Sequence, residues 1–158
     1  MFTLGERTKN LEEGRALAAE LIANGKALEK FRKGIALQGG DARVIDDASI
    51  LPQARHREIA RSESAGYVTE TNCEQFGVAL AMLGGGREKK EDKIDHAVGL
   101  EFHKRIGDRV EKNEPLATIF YNSDARLAEA KTMIVSSYQI GPQPRRNKRP
   151  LIRKILGE

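Results

Sequence analysis

The hydrophobic period of this 158-residue chain changes near residue 58, and this change constrains the fold more than any other feature. Between Asn10 and Gln38, apolar residues recur at helical spacing, with Gly25 dividing the pattern in two. From about Glu58 onward, short apolar stretches are separated by turn residues, which is typical of strands. Helices and strands in separate parts of a chain predict an α+β fold.

Two helices are predicted before the change. Asn10 with Glu13 three residues later has the form of a capping box, so the first helix begins there and ends at Gly25. The second helix is predicted over residues 26–38. We expect a helical hairpin that needs a partner surface, because two short helices bury too little apolar area alone. One face of the first helix is apolar, with Leu11, Leu17, Ala18, Leu21 and Ile22. The buried face of the second is expected to consist of Leu28, Phe31, Ile35 and Leu37.

The second half of the chain predicts strands with two helices among them. The helices are expected over residues 73–83 and 124–133, the latter capped by Asn122 or Ser123. Asn113 is expected in a tight turn, since asparagine tolerates a positive φ angle. Strands are expected around residue 59, around residues 67–68 and 70, and over residues 97–102, 115–121 and 136–140. Another extended segment is expected to begin at Val110.

Composition excludes several classes of protein. The single cysteine, Cys73, excludes an internal disulfide framework and fits the reducing cytoplasm; we expect it to be a small buried hydrophobe. No apolar run approaches the roughly 20 residues that span a bilayer, so no membrane segment is expected. The three histidines, His56, His96 and His103, lack the spacing and the cysteine partners of a zinc site. We predict no metal and no cofactor.

The net charge of +4 is concentrated at the C-terminus. Residues 141–158 hold six basic residues and one acidic residue, so the remainder of the chain is close to neutral. Weak binding of nucleic acid by Arg145 to Lys154 is one hypothesis. The absence of interleaved aromatic residues favours a solvated basic tail instead, so a nucleic-acid partner is not expected.

The glycine triplet at residues 84–86 is the sharpest local motif. Functionally, such a loop can close over an anionic ligand. The alternative is a flexible helix stop followed by a solvated charged loop. A P-loop is excluded because the glycines follow a helix and no Gly-Lys-Ser or Gly-Lys-Thr ending occurs. The residues of this candidate site are Gly84, Gly85, Gly86, Arg87, Lys89 and Lys90.

Residues 106–116 resemble the strand–turn–strand of biotinyl and lipoyl carrier domains. Neither the Met-Lys-Met nor the Asp-Lys-Ala triplet of such carriers occurs in the chain. The fold element can therefore be shared without the carrier function. A stand-alone barrel-sandwich binding module or carrier-like domain is the alternative function.

Several ordered motifs resemble the thymidine and pyrimidine-nucleoside phosphorylases over nearly the whole chain to about residue 140. In the helical part they are residues 24–31 and 38–41, followed by Asp46-Asp47 and Leu51-Pro52. In the later part they are residues 65–68, 83–87, 94–95, 98–99 and 107–110, with Glu70 and Gly77.

The resemblance implies an enzyme that cleaves pyrimidine nucleosides with inorganic phosphate, yielding the base and a pentose 1-phosphate. It also implies a cytoplasmic homodimer whose active site lies in a cleft between a helical and an α/β part. The family's phosphate-binding run, of the type Lys-x-Ser-Thr-Gly-Gly-Val-Gly-Asp, does not occur here. We therefore expect no catalytic residue in this chain, the catalytic region lying upstream of Met1, and the chain to be inactive alone.

The resemblance also implies a domain organisation. Residues 1–41 are expected to be a helical segment from the end of the family's central region, and residues 42–57 a connector. Residues 58–140 are expected to form the C-terminal domain, of α/β-hammerhead or barrel-sandwich-like fold, followed by the basic tail at 141–158. In the family, the glycine-rich loop lies near the cleft. The resemblance therefore implies that the loop at residues 84–92 lies beside the active-site cleft. The remainder of the phosphorylase subunit is the expected partner.

Overall fold

A computed structural model describes residues 1–144 and Ile152. The chain divides into two compact units, Met1–Leu51 and Pro52–Glu158, and this division lies inside the predicted connector at 42–57. The basic residues behind the nucleic-acid hypothesis, Arg145 to Lys154, lie outside the described residues apart from Ile152 between them.

The first unit contains helices α1 (Leu11–Ala23) and α2 (Lys26–Leu37), followed by 3-10 turns at Ala42–Ile45 and Ala48–Ile50. The Oδ1 atom of Asn10 accepts a hydrogen bond from the backbone N–H of Glu13 at 2.9 Å, so the predicted start of α1 is confirmed. Gly25 separates the helices with a φ angle of +78°. Arg32 binds both carboxylate oxygens of Asp46, at 2.7 and 2.8 Å, which fastens the first 3-10 turn to α2.

The buried face predicted for α2 is wrong, and the apolar face of α1 is not buried either. Within α1 only Gly14 is buried, and α2 has no buried residue. Leu28, Phe31 and Leu37 are 50, 60 and 88% exposed. The physical reason is that two short helices shield only a narrow seam between them, and the rest of the first unit is too small to cover their remaining apolar surface.

The second unit contains two antiparallel three-stranded sheets. Sheet A has the order β1 (His56–Arg61), β5 (Pro115–Tyr121), β3 (Gly99–Phe102). Sheet B has the order β4 (Arg109–Val110), β2 (Gly66–Thr71), β6 (Tyr138–Gly141). Consecutive strands β1 and β2 thus belong to different sheets, as do β4 and β5. The α+β class predicted from the sequence is confirmed, as are the bounds of β5.

Two helices complete this unit, α3 (Cys73–Leu80) and α4 (Leu127–Ser136). α4 begins three residues later than predicted, and neither Asn122 nor Ser123 caps it, since its N-cap is Arg126. The amide of Asn122 bonds Arg55 and Asp95 instead. Ser136, expected in the closing strand, ends α4. Cys73 is exposed at the first position of α3, so its predicted burial is wrong.

The hydrophobic core of the second unit is mostly aliphatic, as the lack of tryptophan predicts. Its side chains come from both sheets and both helices, which explains why neither sheet leaves its inner face in water. Tyr138 is buried in it, its hydroxyl donates to the carbonyl of Leu116 at 3.2 Å, and burial raises the pKa of Tyr138 to about 12. The core residues are Ala60, Val68, Phe76, Ala79, Leu83, Val110, Leu116, Ala117, Ile119, Tyr121, Ala130, Ile134 and Tyr138.

The turn between β4 and β5 gives a first testable prediction. Asn113 has a φ angle of +67°, as expected, and its N–H donates to the carbonyl of Ser62 at 2.8 Å. Asn113→Ala should lower the free energy of unfolding by about 1 kcal/mol, because alanine lacks asparagine's tolerance of left-handed backbone. Asn113→Gly, which fits that backbone, should lose less. Urea unfolding followed by tyrosine fluorescence measures the free energy of unfolding of the second unit, since all three tyrosines (Tyr67, Tyr121 and Tyr138) lie in it.

Candidate functional site

The glycine triplet lies where α3 widens into a π-helical turn at Ala81–Gly85. Gly84 has a φ angle of +95°, and its carbonyl accepts the N–H of Asp95 at 2.8 Å. A methyl group on Gly85 would approach Val98 within 3.1 Å, and one on Gly86 would approach Ala81 within 3.0 Å. Backbone geometry and close packing therefore require these glycines, with no need to invoke a mobile helix stop.

The loop beyond the triplet is closed by its own hydrogen bonds. One carboxylate oxygen of Asp92 accepts the backbone N–H groups of Glu88 and Lys89, at 3.0 and 2.8 Å. Glu88 forms an ion pair with Arg126 at 2.5 Å, close to the first turn of α4. The loop is thus tied to α4 on one side, although this exposed ion pair contributes little stability by itself.

The predicted cations all lie on this loop. Arg87, Lys89 and Lys90 are exposed, and none of them forms an ion pair with another residue in the described part of the chain. The structure therefore brings the predicted site residues together on one anchored loop, with its positive charges in solvent. Such a surface can attract an anion but does not by itself enclose one.

A hydrogen-bond network that the sequence did not reveal holds the base of the loop. Asp95 accepts the side-chain amide of Asn122 at 2.7 Å and the backbone N–H of Ala97 at 3.0 Å. Asn122 in turn accepts the backbone N–H of Arg55 at 2.8 Å. The network connects the loop to the segment before β1 and to the end of β5. From the sequence, Asn122 was predicted as a helix cap, and a lone asparagine after a strand gave no other signal.

The network predicts a dependence of stability on pH. Hydrogen bonds from Asn122 and then from the N–H of Ala97 lower the pKa of Asp95 below its usual 3.8. The folded chain therefore releases this proton more readily than the unfolded chain, so the stabilisation is full well above the unfolded pKa of 3.8 and is lost as pH falls through the folded pKa. Asp95→Asn should remove this part of the pH dependence. Urea unfolding of both proteins between pH 6 and 2 tests it: an unchanged difference across that range would contradict the prediction.

The remaining reactive side chains of the described residues are dispersed. His103 lies 2.7 Å from the hydroxyl of Thr118, whereas the ring of His56 packs 5.5 Å from that of Tyr121. Within residues 1–144, no three His, Cys, Asp or Glu side chains are grouped so as to hold a metal ion. The helices in the same residues are too short and too polar to cross a membrane.

The fold and the loop define a class: a small α+β domain of two antiparallel sheets, carrying an anchored cationic loop and preceded by two helices. Residues 67–141 match the pyrimidine nucleoside phosphorylase C-terminal domain family. Pyrimidine-nucleoside phosphorylase of Bacillus subtilis is 45% identical over 124 residues, which cover 78% of this chain and 29% of that protein. Pyrimidine-nucleoside phosphorylase of Staphylococcus aureus is 49% identical over 122 residues, which cover 77% of this chain and 28% of that protein.

The chain therefore contains a pyrimidine nucleoside phosphorylase C-terminal domain and is homologous to the C-terminal region of the pyrimidine-nucleoside phosphorylases. The resemblance stated from its motifs is confirmed. The chain spans less than a third of the length of these curated relatives.

Proposed function

We propose that this chain is the C-terminal portion of a pyrimidine nucleoside phosphorylase, and that it supports the reaction without supplying its catalytic groups. The reaction is phosphorolysis of thymidine- or uridine-type nucleosides to the base and a pentose 1-phosphate. The observation that carries the proposal is identity of 45 to 49% over more than three-quarters of this chain, confined to less than a third of each relative.

The chemical requirements of phosphorolysis favour a role in which this chain supplies no catalytic group. Phosphorolysis requires phosphate held in line behind the anomeric carbon while positive charge develops on the sugar. The sequence has no phosphate-binding run of the family type. The loop cations stand in solvent, and a solvated cation contributes far less to a transition state than one in a water-excluded site.

The loop at residues 84–92 is proposed to lie beside the active-site cleft, with Arg87 making a closing contact to an anionic group. Its base is fixed by Asp95 and Asn122, while Arg87 remains exposed. Because hydrogen bonds already fix the base of the loop, binding to another surface would order few further residues and would cost little conformational entropy. The exposed charge at the tip is therefore suited to such a contact.

The apolar surface of α1 and α2 supports a proposal about the partner. Leu11, Ile22 and Phe31 are 65, 73 and 60% exposed, more apolar area than two packed helices normally leave to water. We propose that the remainder of the phosphorylase subunit covers this surface, in a cytoplasmic homodimer. We further propose that the two sheets form the α/β-hammerhead or barrel-sandwich-like fold.

Reconstitution tests the proposal. The chain alone, with thymidine or uridine and phosphate, should release no base. Mixed with the Bacillus subtilis phosphorylase from which the matching C-terminal region has been deleted, it should restore phosphorolysis, because the missing domain is supplied in trans. Turnover by the chain alone would overturn the supporting role. Failure to restore activity, although both parts are folded and bound to one another, would overturn the proposed family function.

The same pair of proteins tests the loop. Arg87→Ala should lower kcat/KM about tenfold, the equivalent of about 1.4 kcal/mol of transition-state stabilisation. Arg105→Ala is the matched control, since Arg105 is also exposed and lies in a turn of the same unit. The control should stay within about twofold. If the two substitutions lowered kcat/KM equally, the loop would not be part of the active site.

A further inference from the structure

A groove of about 820 Å³ runs between β1, α4 and β6 of the second unit. Its lining is mixed, and its apolar members include Ile59, Leu116, Tyr138 and Ile140. Arg57 and Arg61 stand along the β1 side. The groove is distinct from the loop at residues 84–92, none of which lines it.

The groove follows the free edge of β1. This strand is the outer member of sheet A, with β5 as its neighbour on the other side. Arg57, Glu58 and Ile59 line the groove in succession. Since successive strand residues point to opposite faces, a groove that meets all three opens along the strand's edge. No backbone hydrogen bond joins β1 to any described residue outside β5, so this edge offers unpaired N–H and C=O groups.

The charge beside this edge is positive. Arg57 is exposed and forms no ion pair within residues 1–144, and Arg61 donates to the carbonyl of Asn113 at 2.9 Å but to no carboxylate there. Glu58 forms an ion pair with Lys131 of α4, which also lines the groove, so the negative charge of Glu58 is neutralised. Glu63, beyond Arg61, is the remaining acidic group of the lining. The two arginines therefore present positive charge along β1.

We propose that this groove binds an extended acidic peptide segment, which pairs with the free edge of β1 as an added strand. Strand addition gives hydrogen-bond partners to the unpaired backbone groups of β1, and alternate side chains of the peptide can contact the partly exposed apolar residues of the lining, Ile59 and Ile140. Arg57 and Arg61 are four residues apart, about 13 Å along a strand, which suits carboxylates spaced along an extended chain better than one compact anion. The basic residues at 145–154 of this chain carry the same sign as the arginines, so charge disfavours them as the occupant.

Peptide binding to the full chain tests the proposal. The probe is a fluorescein-labelled hexapeptide of alternating glutamate and valine, and the matched control peptide has lysine in place of glutamate. Fluorescence anisotropy should give at least tenfold tighter binding of the acidic peptide. Amide hydrogen exchange should slow in residues 56–61 when the acidic peptide is bound, because β1 gains hydrogen bonds.

Charge reversal supplies the matched variants. Arg57→Glu should weaken the acidic peptide at least fivefold, whereas Arg105→Glu, the same change at an exposed position outside the groove, should not. The tyrosine-monitored unfolding midpoint checks that both variants fold. Absence of binding at millimolar peptide, equal binding of the two peptides, or binding without protection of residues 56–61 would each overturn the proposal. If citrate displaces the peptide and hydrogen exchange in β1 is not slowed, the groove is a small-anion site. That result would also overturn the proposal.

Discussion

Gly66→Ala is expected to lower the free energy of unfolding of the second unit by about 3 kcal/mol, combining overpacking with backbone strain. Gly66 opens β2 with a φ angle of +154°, and a methyl group there would lie 2.6 Å from the carbonyl oxygen of Gly141 and 2.9 Å from a methyl of Ile140. The first of these atoms belongs to the backbone of β6, which pairs directly with β2. Strand β6 would have to move away, and sheet B would lose part of its ladder.

Gly77→Ala is the matched control for this prediction. Gly77 lies exposed in α3, and a methyl group there would meet nothing within 4 Å. Because alanine favours helix over glycine by about 1 kcal/mol, this change should leave stability equal or increase it. Urea unfolding of both variants, followed by tyrosine fluorescence, compares them. A loss of less than about 1 kcal/mol in Gly66→Ala would contradict the close approach of β2 and β6.

Ile119→Ala should cost about 3 kcal/mol, the usual result of truncating a large side chain in a packed core. Ile119 is wholly buried at the centre of β5, opposite Glu58 of β1 and Leu100 of β3. The substitution leaves a cavity beneath the middle strand of sheet A, which relaxes only partly because strands flank it on both sides. Thermal or urea unfolding measures the loss.

Val78→Ala is the control for the core substitution. Val78 is 46% exposed on α3, so its truncation should cost well under about 1 kcal/mol, because alanine's higher helix propensity offsets part of the loss. If the two truncations cost the same, the arrangement of sheet A described above is wrong.

Elements whose signals are local were predictable from the sequence. The N-cap at Asn10 and the bounds of β5 follow from side-chain chemistry and periodicity within a few residues. The positive φ angle of Asn113 follows from its position in a turn. The family motifs identified the domain, because several motifs in order are far more specific than any one of them.

Features that depend on distant residues were not predictable. Asn122 looks like a helix cap until Arg55 and Asp95 are seen to occupy its amide. Burial of Phe31 was expected from periodicity, which reports an apolar face but not what covers it. The groove beside β1 was missed because its walls come from β1, α4 and β6, which lie far apart in the sequence.

The pairing of β1 with β5, across most of the second unit, has a consequence for synthesis on the ribosome. While the nascent chain is shorter than residue 115, no strand of sheet A has a partner, and β2 lacks β6 until residue 141 has been added. Until then β1 and β3 have no partner in their sheet and β2 has only β4, which exposes their apolar side chains to chaperones and to aggregation. A product that ended before residue 115 could not form sheet A, and one that ended before residue 138 would lack the outer strand β6 of sheet B.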